Sequence, residues 1–335
     1  MTANVERPWL IVGIDFGTTF SGVAWGMDGC PDDIEVIQTW PGGGNTTSQK
    51  IPTLLLYDGK RMKWGYEAEQ TVHPGNQHRL IQGVKLLMDE GQEFRYAPTS
   101  ESGKLIKQMG KSAVQVSCDY LASLVTHARE MLRRRFGAAL QTFDLHYILT
   151  VPAVWSDKGK NSTMQAAHLA EIPAANLTLL SEPEAAAVYA IRTIQPNTIA
   201  EGHCLIVCDA GGGTVVSLRP HNSLKNFSDQ FSQDIITYRA VCGSVMLDER
   251  FDDLVKTVIE QKSAKGLPPA SARAAKKYWQ DYIKPKYAGP VGQNEFDDPG
   301  YWVPIPGVSG IRQVDLSEGH LYLEKYTPFL TISTT

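Results

Sequence analysis

The chain has 335 residues, 42% of them hydrophobic and 20% charged, with a formal net charge of −4. That length favours two domains, each able to bury a core of its own, and the composition is ordinary for a globular protein. A slight acidic excess with no long basic tract excludes a general nucleic-acid or membrane-surface binder, and no run approaches the roughly 18 apolar residues that span a bilayer.

In chain order, the opening lacks a basic region followed by a long apolar core, so a soluble, cytoplasmic chain is expected. "WLIVGID" (9–15) reads as a buried strand and "SGVAWG" (21–26) as a second one after a glycine turn, so the pair predicts a hairpin. "PGGGN" (41–45) breaks the chain, and the mixed, polar residues of about 46–112 read as an inserted subdomain. Ser112 caps a helix in which Val114, Cys118, Leu121, Val125, Ala128 and Leu132 repeat at helical spacing, until Gly137 stops it. Arg133, Arg134 and Arg135 end that helix as a solvated terminus, complementing its dipole. "YILTVP" (147–152) is a strand, "SDKGKNSTMQAAHLA" (156–170) a helix, "LTLLSEP" (177–183) a strand and turn, and "PEAAAVYAI" (183–191) a helix.

Residues 192–202 read as a linker, after which "CLIVCDAGGGTVV" (204–216) repeats the opening theme of strand, aspartate and glycine turn. Two such units point to a duplicated α/β architecture. Residues 219–234 show no periodicity and are expected to form a loop. Five cysteines, Cys30, Cys118, Cys204, Cys208 and Cys242, include no CxxC pair and read as reduced, mostly packed thiols.

A carboxylate at a strand end, followed by a glycine turn, gathers backbone N–H groups into a concavity that suits a phosphate oxygen. Thr18, Thr19 and Thr214 add hydroxyl donors. Because carboxylates repel phosphate, Asp15 and Asp209 fit beside it only with a cation between them, and Mg²⁺ with its retained waters suits that place. On the residues alone, a phosphate cradle and a plain hairpin turn both remain open.

"IVGIDFGTTFSGVAWG", "ILTVPAVWSDKGK", "LLSEPEAAAVYA" and "LIVCDAGGGTVV" resemble, in order and spacing, the nucleotide-binding domain of the 70-kilodalton heat-shock protein family, within the actin-like ATPase superfamily. The likeness is strongest to its divergent branch lacking the usual substrate-binding half, which "CGSVMLDERFDDLV" (242–255) and "WQDYIKPKYAG" (279–289) also resemble. The resemblance implies an α/β fold with two ribonuclease-H-like lobes around a nucleotide cleft. The first lobe would cover residues 8–191 and the second 203–335. It implies ATP or ADP as the ligand, with Mg²⁺ held through water by Asp15 and Asp209. Gly17, Thr18 and Thr19 match the first phosphate turn, Gly211, Gly212, Gly213 and Thr214 the second, and Gly243 is placed with the nucleotide contacts. Glu182 resembles the carboxylate near the attacking water, Lys85 in "VKLLMD" the lysine that orients that water, and Pro152 a switch proline relaying nucleotide state. With Asp209, Lys85 and Glu182 form the expected catalytic set. Val216 stands where the family has an aspartate, and an apolar side chain cannot accept a proton, so hydrolysis is expected to be slow or absent. Thr335 precedes the family's last glycine-rich stretch, so the second lobe is expected to be truncated, without half of the adenosine pocket.

Each feature also has a plainer interpretation. Lys85 alone would be a surface lysine, and Glu182 alone a first-turn carboxylate stabilised by the helix dipole. Ser244 lacks the second glycine of a nucleophile elbow. "GKS" at 110–112 lacks the earlier glycine of a P-loop, since Leu105 stands there. Eight histidines show no zinc spacing. Tyr278, Trp279, Tyr282 and Tyr287 read as core or interlobe packing. Three functions therefore compete: a nucleotide-binding protein whose state a protein partner reads, a degenerate interaction protein that binds no nucleotide, and a small-molecule kinase of the same superfamily. Neither nucleic acid nor a membrane is an expected partner.

Overall fold

The computed structural model describes residues 7–30, 32–59, 61–73, 75–89, 97–193, 207–211, 215–220, 235–240, 244–261, 266–286, 300–308, 316–317 and 319–324; at 208–210, 215–220 and 235–240 the description is of the backbone. The chain divides into two compact units, Met1–Gly243 and Ser244–Thr335.

In the first unit, β1 (Trp9–Asp15) alternates buried Leu10, Val12 and Ile14 with half-buried residues, the period of a strand with one face on the core. Each buried aliphatic contributes about 1.5–3 kcal/mol of apolar transfer. β2 (Phe20–Met27) returns antiparallel to β1, as the hairpin reading requires, and β3 (Ile34–Val36) pairs with β2. The stretch read as an insert supplies β4 (Ile51–Pro52), which pairs with β2, and then β5 (Leu54–Asp58), β6 (Arg61–Trp64) and α1 (Gly65–Thr71). β7 (Leu80–Gln82) completes a small sheet ordered β6-β5-β7, and α2 (Ala97–Gln108) follows.

The long helix α3 (Ala113–Phe136) starts at Ser112 in a capping box. Ser112 Oγ accepts from Gln115 N at 3.2 Å, and Gln115 Oε1 accepts from Ser112 N at 2.8 Å. Such a cap contributes about 1 kcal/mol. Its core stripe is Val116, Tyr120, Leu121, Leu124, Val125, Ala128 and Leu132. Val114 and Cys118 from the sequence reading are only partly buried, because the stripe runs through Val116 and Tyr120 instead. Tyr120 buries its ring fully yet donates its hydroxyl to Pro52 O at 3.2 Å, so its polar end is satisfied. The three arginines at the helix end are exposed; Arg133 and Arg134 meet Glu130, and Arg135 meets Glu35.

β8 (Asp144–Val151) joins β1 in parallel, α4 (Asp157–Leu169) crosses over, and β9 (Leu177–Ser181) joins β8, also in parallel. The sheet thus reads β3-β2-β1-β8-β9, with β4 paired to β2. α5 (Glu182–Thr193) leaves directly from the end of β9. β10 (Val207–Ala210), β11 (Val215–Pro220) and β12 (Ile235–Ala240) form an antiparallel meander ordered β10-β11-β12, repeating the connectivity of β1, β2 and β3. The linker read at 192–202 is corrected at its start, since Arg192 and Thr193 still belong to α5, and the loop read at 219–234 likewise, since Arg219 and Pro220 pair with β12 as the end of β11; the rest of both lies outside the described residues.

The second unit has its own core. α6 (Val245–Glu260) presents Phe251, Val255 and Ile259, and α7 (Pro269–Tyr278) continues into a wider turn carrying Trp279 and Ile283. Phe251 and Trp279 stack with centroids 4.7 Å apart. β13 (Gly300–Pro304), β14 (Leu316–Ser317) and β15 (His320–Glu324) pair in the order β13-β15-β14 and add Val303, Leu321 and Leu323. Trp279 is core as expected and Tyr278 packs against it, but Tyr282 is 54% exposed, which corrects the packing reading for that residue. The wider turn after α7 directs Trp279 and Ile283 inward and leaves Tyr282 between them on the outer side. Tyr287 lies outside the described residues. Of the two cysteines whose side chains are described, Cys30 is an exposed free thiol and Cys118 a half-buried one, so the packed reading holds for Cys118 and not for Cys30; Cys204, Cys242 and the side chain of Cys208 lie outside the described residues.

Candidate functional site

Asp15 is the last residue of β1, and the turn after it is closed tightly. A Cβ on Gly17 would lie 2.0 Å from Phe20 O, closer than any side chain can approach backbone, so glycine is obligatory there. Phe16 is fully buried and stacks on Tyr120 at 5.7 Å. Thr18 and Thr19 are half-buried. The turn is tied down by Thr53 N, which donates to Thr19 O at 2.8 Å, and by the buried Ser21–Thr53 hydroxyl pair at 2.8 Å.

Four side chains converge near this turn. Thr150, at the end of β8, donates its hydroxyl to Asp15 Oδ1 at 3.1 Å. Lys50 Nζ donates to Asp15 Oδ2. Burial pushes the Asp15 carboxyl up, but the charges of Lys50 and Lys85 and the hydrogen bonds from Lys50 and Thr150 outweigh it and hold the group below the usual carboxylate range. Lys85, on a single 3-10 turn over Val84–Met88, is 2% exposed and forms an ion pair with Glu182, the first residue of α5. The surface reading of Lys85 is thereby overturned. Its ammonium lies 5.9 Å from the Phe16 ring centroid and 5.8 Å from that of Trp155, close enough for cation–π attraction.

The turn that carries Lys85 is anchored. Buried Asp89, which ends it, accepts from Ser156 Oγ at 2.7 Å and Ser156 N at 3.3 Å. Ser156 caps α4 through Gly159 N at 3.1 Å. Pro152 follows β8, and its carbonyl accepts from Trp155 N at 3.2 Å, a turn whose tryptophan ring reaches the Lys85 ammonium. The Pro152 turn and the Lys85 turn therefore meet at one helix start.

Thus the structure brings together Asp15, Gly17, Thr18, Thr19, Lys85 and Glu182 from the sequence reading. Asp209 is described only as a backbone position in β10, with Val216 directly across from it in β11, and Gly211 follows that strand. α5 packs against β10, so the element that bears Glu182 also contacts the strand that bears Asp209. Gly212, Gly213, Thr214 and Gly243 lie outside the described residues. The sequence reading missed Lys50, Thr150 and Trp155. Only "YILTVP" held a signal, a hydroxyl two residues before the proline at a strand end.

The strand order, the paired Asp-Gly hairpins and this cluster of charge coincide with what comparison with known proteins finds. The model of the family described as "Hsp70 protein" matches residues 11–219. The chain belongs to the Hsp70 protein family. Its α/β fold is the actin-like ATPase fold that this family implies. Among its Hsp70 relatives, Heat shock 70 kDa protein 12A of Homo sapiens is 28% identical over 194 residues, covering 54% of this chain and 28% of that protein. Heat shock 70 kDa protein 12B of Homo sapiens is 30% identical over 194 residues, with the same coverage of 54% and 28%. The Chaperone protein HscA homolog of Pasteurella multocida is 30% identical over 225 residues, covering 64% of the chain and 32% of its own length. The chain thus spans about a third or less of these Hsp70 relatives.

The Asp15 carboxylate, fixed through one oxygen by Thr150, is a hard oxygen donor of the kind Mg²⁺ takes. Among the described residues no group of three or more His, Cys, Asp or Glu could cage a metal. The residues present fit an ion that keeps its water and leans on one or two carboxylates and a ligand's phosphates. Also among the described residues, no helix is long and apolar enough to cross a membrane.

Proposed function

We propose that this chain binds ATP or ADP with Mg²⁺ between the two Asp-Gly turns of an Hsp70-type cleft, and that it hydrolyses ATP slowly or not at all. One observation supports this most: the buried Lys85–Glu182 pair set beside Asp15, an arrangement of charge that an ordinary hairpin turn does not require. In this reading the first lobe covers residues 8–191, with its insert at about 46–112, and the second lobe begins near 203.

Asp15 and Asp209 would hold the metal's water shell, and the bound ion would neutralise phosphate charge. The Gly17–Thr19 turn would receive phosphate oxygens on its backbone N–H groups and hydroxyls, as would residues 211–214. Lys85, kept rigid between Phe16 and Trp155, would place one positive charge at the terminal phosphate, and Glu182 would orient a water beside it. Val216, across from Asp209, offers no group to accept that water's proton. Positioning and charge would then be present with little turnover. The state of the cleft would be read by a protein partner, in the cytoplasm.

A specific observation favours a second reading, a partner-binding protein without nucleotide: Asp15 and Glu182 each already have a lysine counter-ion. Calorimetric titration with Mg·ATP separates the two. The first reading expects a Kd tighter than about 1 mM, which corresponds to ~4 kcal/mol, loss of that affinity in Asp209→Ala, and an ATP-dependent rise in melting temperature. No heat and no thermal shift would leave the second. Phosphorylation of a sugar or small acid by the pure protein would replace both with the kinase reading.

A further inference from the structure

Lys50 has no part in the sequence-derived site, yet the fold delivers it there. β4 pairs with β2 through Ser21 and Ile51, so the next position along brings Lys50 beside Gly22, and Gly22 is the residue directly across from Asp15. A Cβ at Gly22 would lie 3.0 Å from Lys50 Cδ and 3.4 Å from its Cε, so the missing side chain is the slot through which the lysine stem passes. Its ammonium ends on Asp15 Oδ2, while Thr150 holds the other oxygen.

The two lysines near Asp15 are held differently. Lys85 is buried, paired with Glu182 and flanked by two aromatic rings. Lys50 is 45% exposed and its carboxylate 42% exposed, so this second pair stays in contact with water and can separate at small cost. A four-carbon stem with a hydrated ammonium is suited to moving over a few ångströms.

We propose that Lys50 is a resident cation at Asp15, competing with Mg²⁺ for the carboxylate and turning to the phosphates when nucleotide enters. This rests on the nucleotide reading above. Its consequence is that the chain holds nucleotide with only weak dependence on the divalent ion. Lys50 is here a charge-compensating residue of the binding site, and affinity rather than turnover reports on it.

The test is calorimetry of the full chain with ATP, in excess MgCl₂ and in EDTA, for wild type, Lys50→Met, Lys50→Gln and Lys50→Arg. Wild type is expected to bind in EDTA within about tenfold of its affinity in Mg²⁺. Lys50→Met and Lys50→Gln should raise the ratio of the two affinities by about tenfold or more, and Lys50→Arg should keep the wild-type ratio. Binding with a ratio unchanged or lowered in both neutral variants overturns the role of Lys50 and leaves the nucleotide reading intact. Absence of binding by wild type in both buffers overturns the two together. Because the pair is half-exposed, both neutral variants should melt close to wild type, and either one with native melting suffices for the comparison.

Discussion

Each unit of the chain sets a lysine against a largely buried carboxylate, and the two pairs are built differently: Lys85 is buried, whereas Lys284 is half-buried. In the second unit Lys284 reaches both oxygens of Asp248, at 2.8 and 2.9 Å, and the indole N–H of Trp279 donates to the same carboxylate at 2.7 Å. All three residues belong to α6 and the segment after α7, so the cluster locks that core together. In the first unit Lys85 meets Glu182 through Oε1, 97 residues away, and a second lysine and a second carboxylate lie close by. A buried charge saturated by its neighbours is structural. One that shares its field with a strand-end carboxylate and a glycine turn is, in the reading proposed above, placed for a ligand.

The largest expected effect falls on the structural pair. Asp248→Ala leaves the Lys284 charge and the Trp279 N–H without their acceptor and should cost about 3–5 kcal/mol, read by urea denaturation of the second unit. Replacing the pair's lysine by an apolar side chain of similar length should cost less only if Asp248 is changed too, because an unpaired carboxylate is left otherwise.

Next comes the first-unit pair, where stability and binding should separate. Glu182→Gln removes the counter-charge of Lys85 and should lower stability by about 2–3 kcal/mol, somewhat less than the second-unit change because glutamine keeps an oxygen to accept from the ammonium, whereas Asp248→Ala removes the acceptor of two donors. The double change Lys85→Met with Glu182→Gln should recover most of that stability, while ATP affinity by calorimetry falls about tenfold or more and stays lost. Recovery of affinity together with stability would make the first pair as purely structural as the second.

The sharpest contrast is with the exposed pair. Lys50→Met should change the denaturation midpoint by no more than about 1 kcal/mol, so its effect should be confined to the metal dependence of binding.

The smallest effect concerns pH. His127, on α3, donates from Nε2 to Thr39 O at 2.7 Å and packs against Trp40 at 5.2 Å. Burial pushes its pKa down from 6.5, and nearby Arg134 pushes the same way, against the Thr39 bond and Glu130. The unfolded chain therefore takes up this proton first, and the folded first unit loses stability as pH falls below about 6.5. A pH series of melting curves should show that slope in wild type and a flatter one in His127→Gln, with the second unit unaffected.

Much of the first unit was legible because its signals are local. The alternation in "WLIVGID", the Ser112 cap, the Ser156 helix start and the Asp-Gly turns each depend on residues within one element. The α3 stripe was read partly wrongly for a related reason. Val114 and Cys118 have the right spacing, yet which face turns inward depends on the sheet beneath, and Val116 and Tyr120 take that place. Tyr282 shows the same limit, since an aromatic residue beside a buried tryptophan carries no local sign of its direction.

The chain's own letters determined the two strand-aspartate-glycine hairpins, the helices that flank them and membership of the Hsp70 family. Those features arise from backbone propensity, side-chain period and turn chemistry, which act over a few residues. The pairings of Lys50 with Asp15, Thr150 with Asp15 and Lys85 with Glu182 were decided only by tertiary structure. They span 35, 135 and 97 residues, and they depend on the register in which β4 meets β2 and β8 meets β1, and on where α5 leaves the sheet. Register is set by how whole faces pack, so a lysine that reads as surface in the chain can end fully buried in the fold.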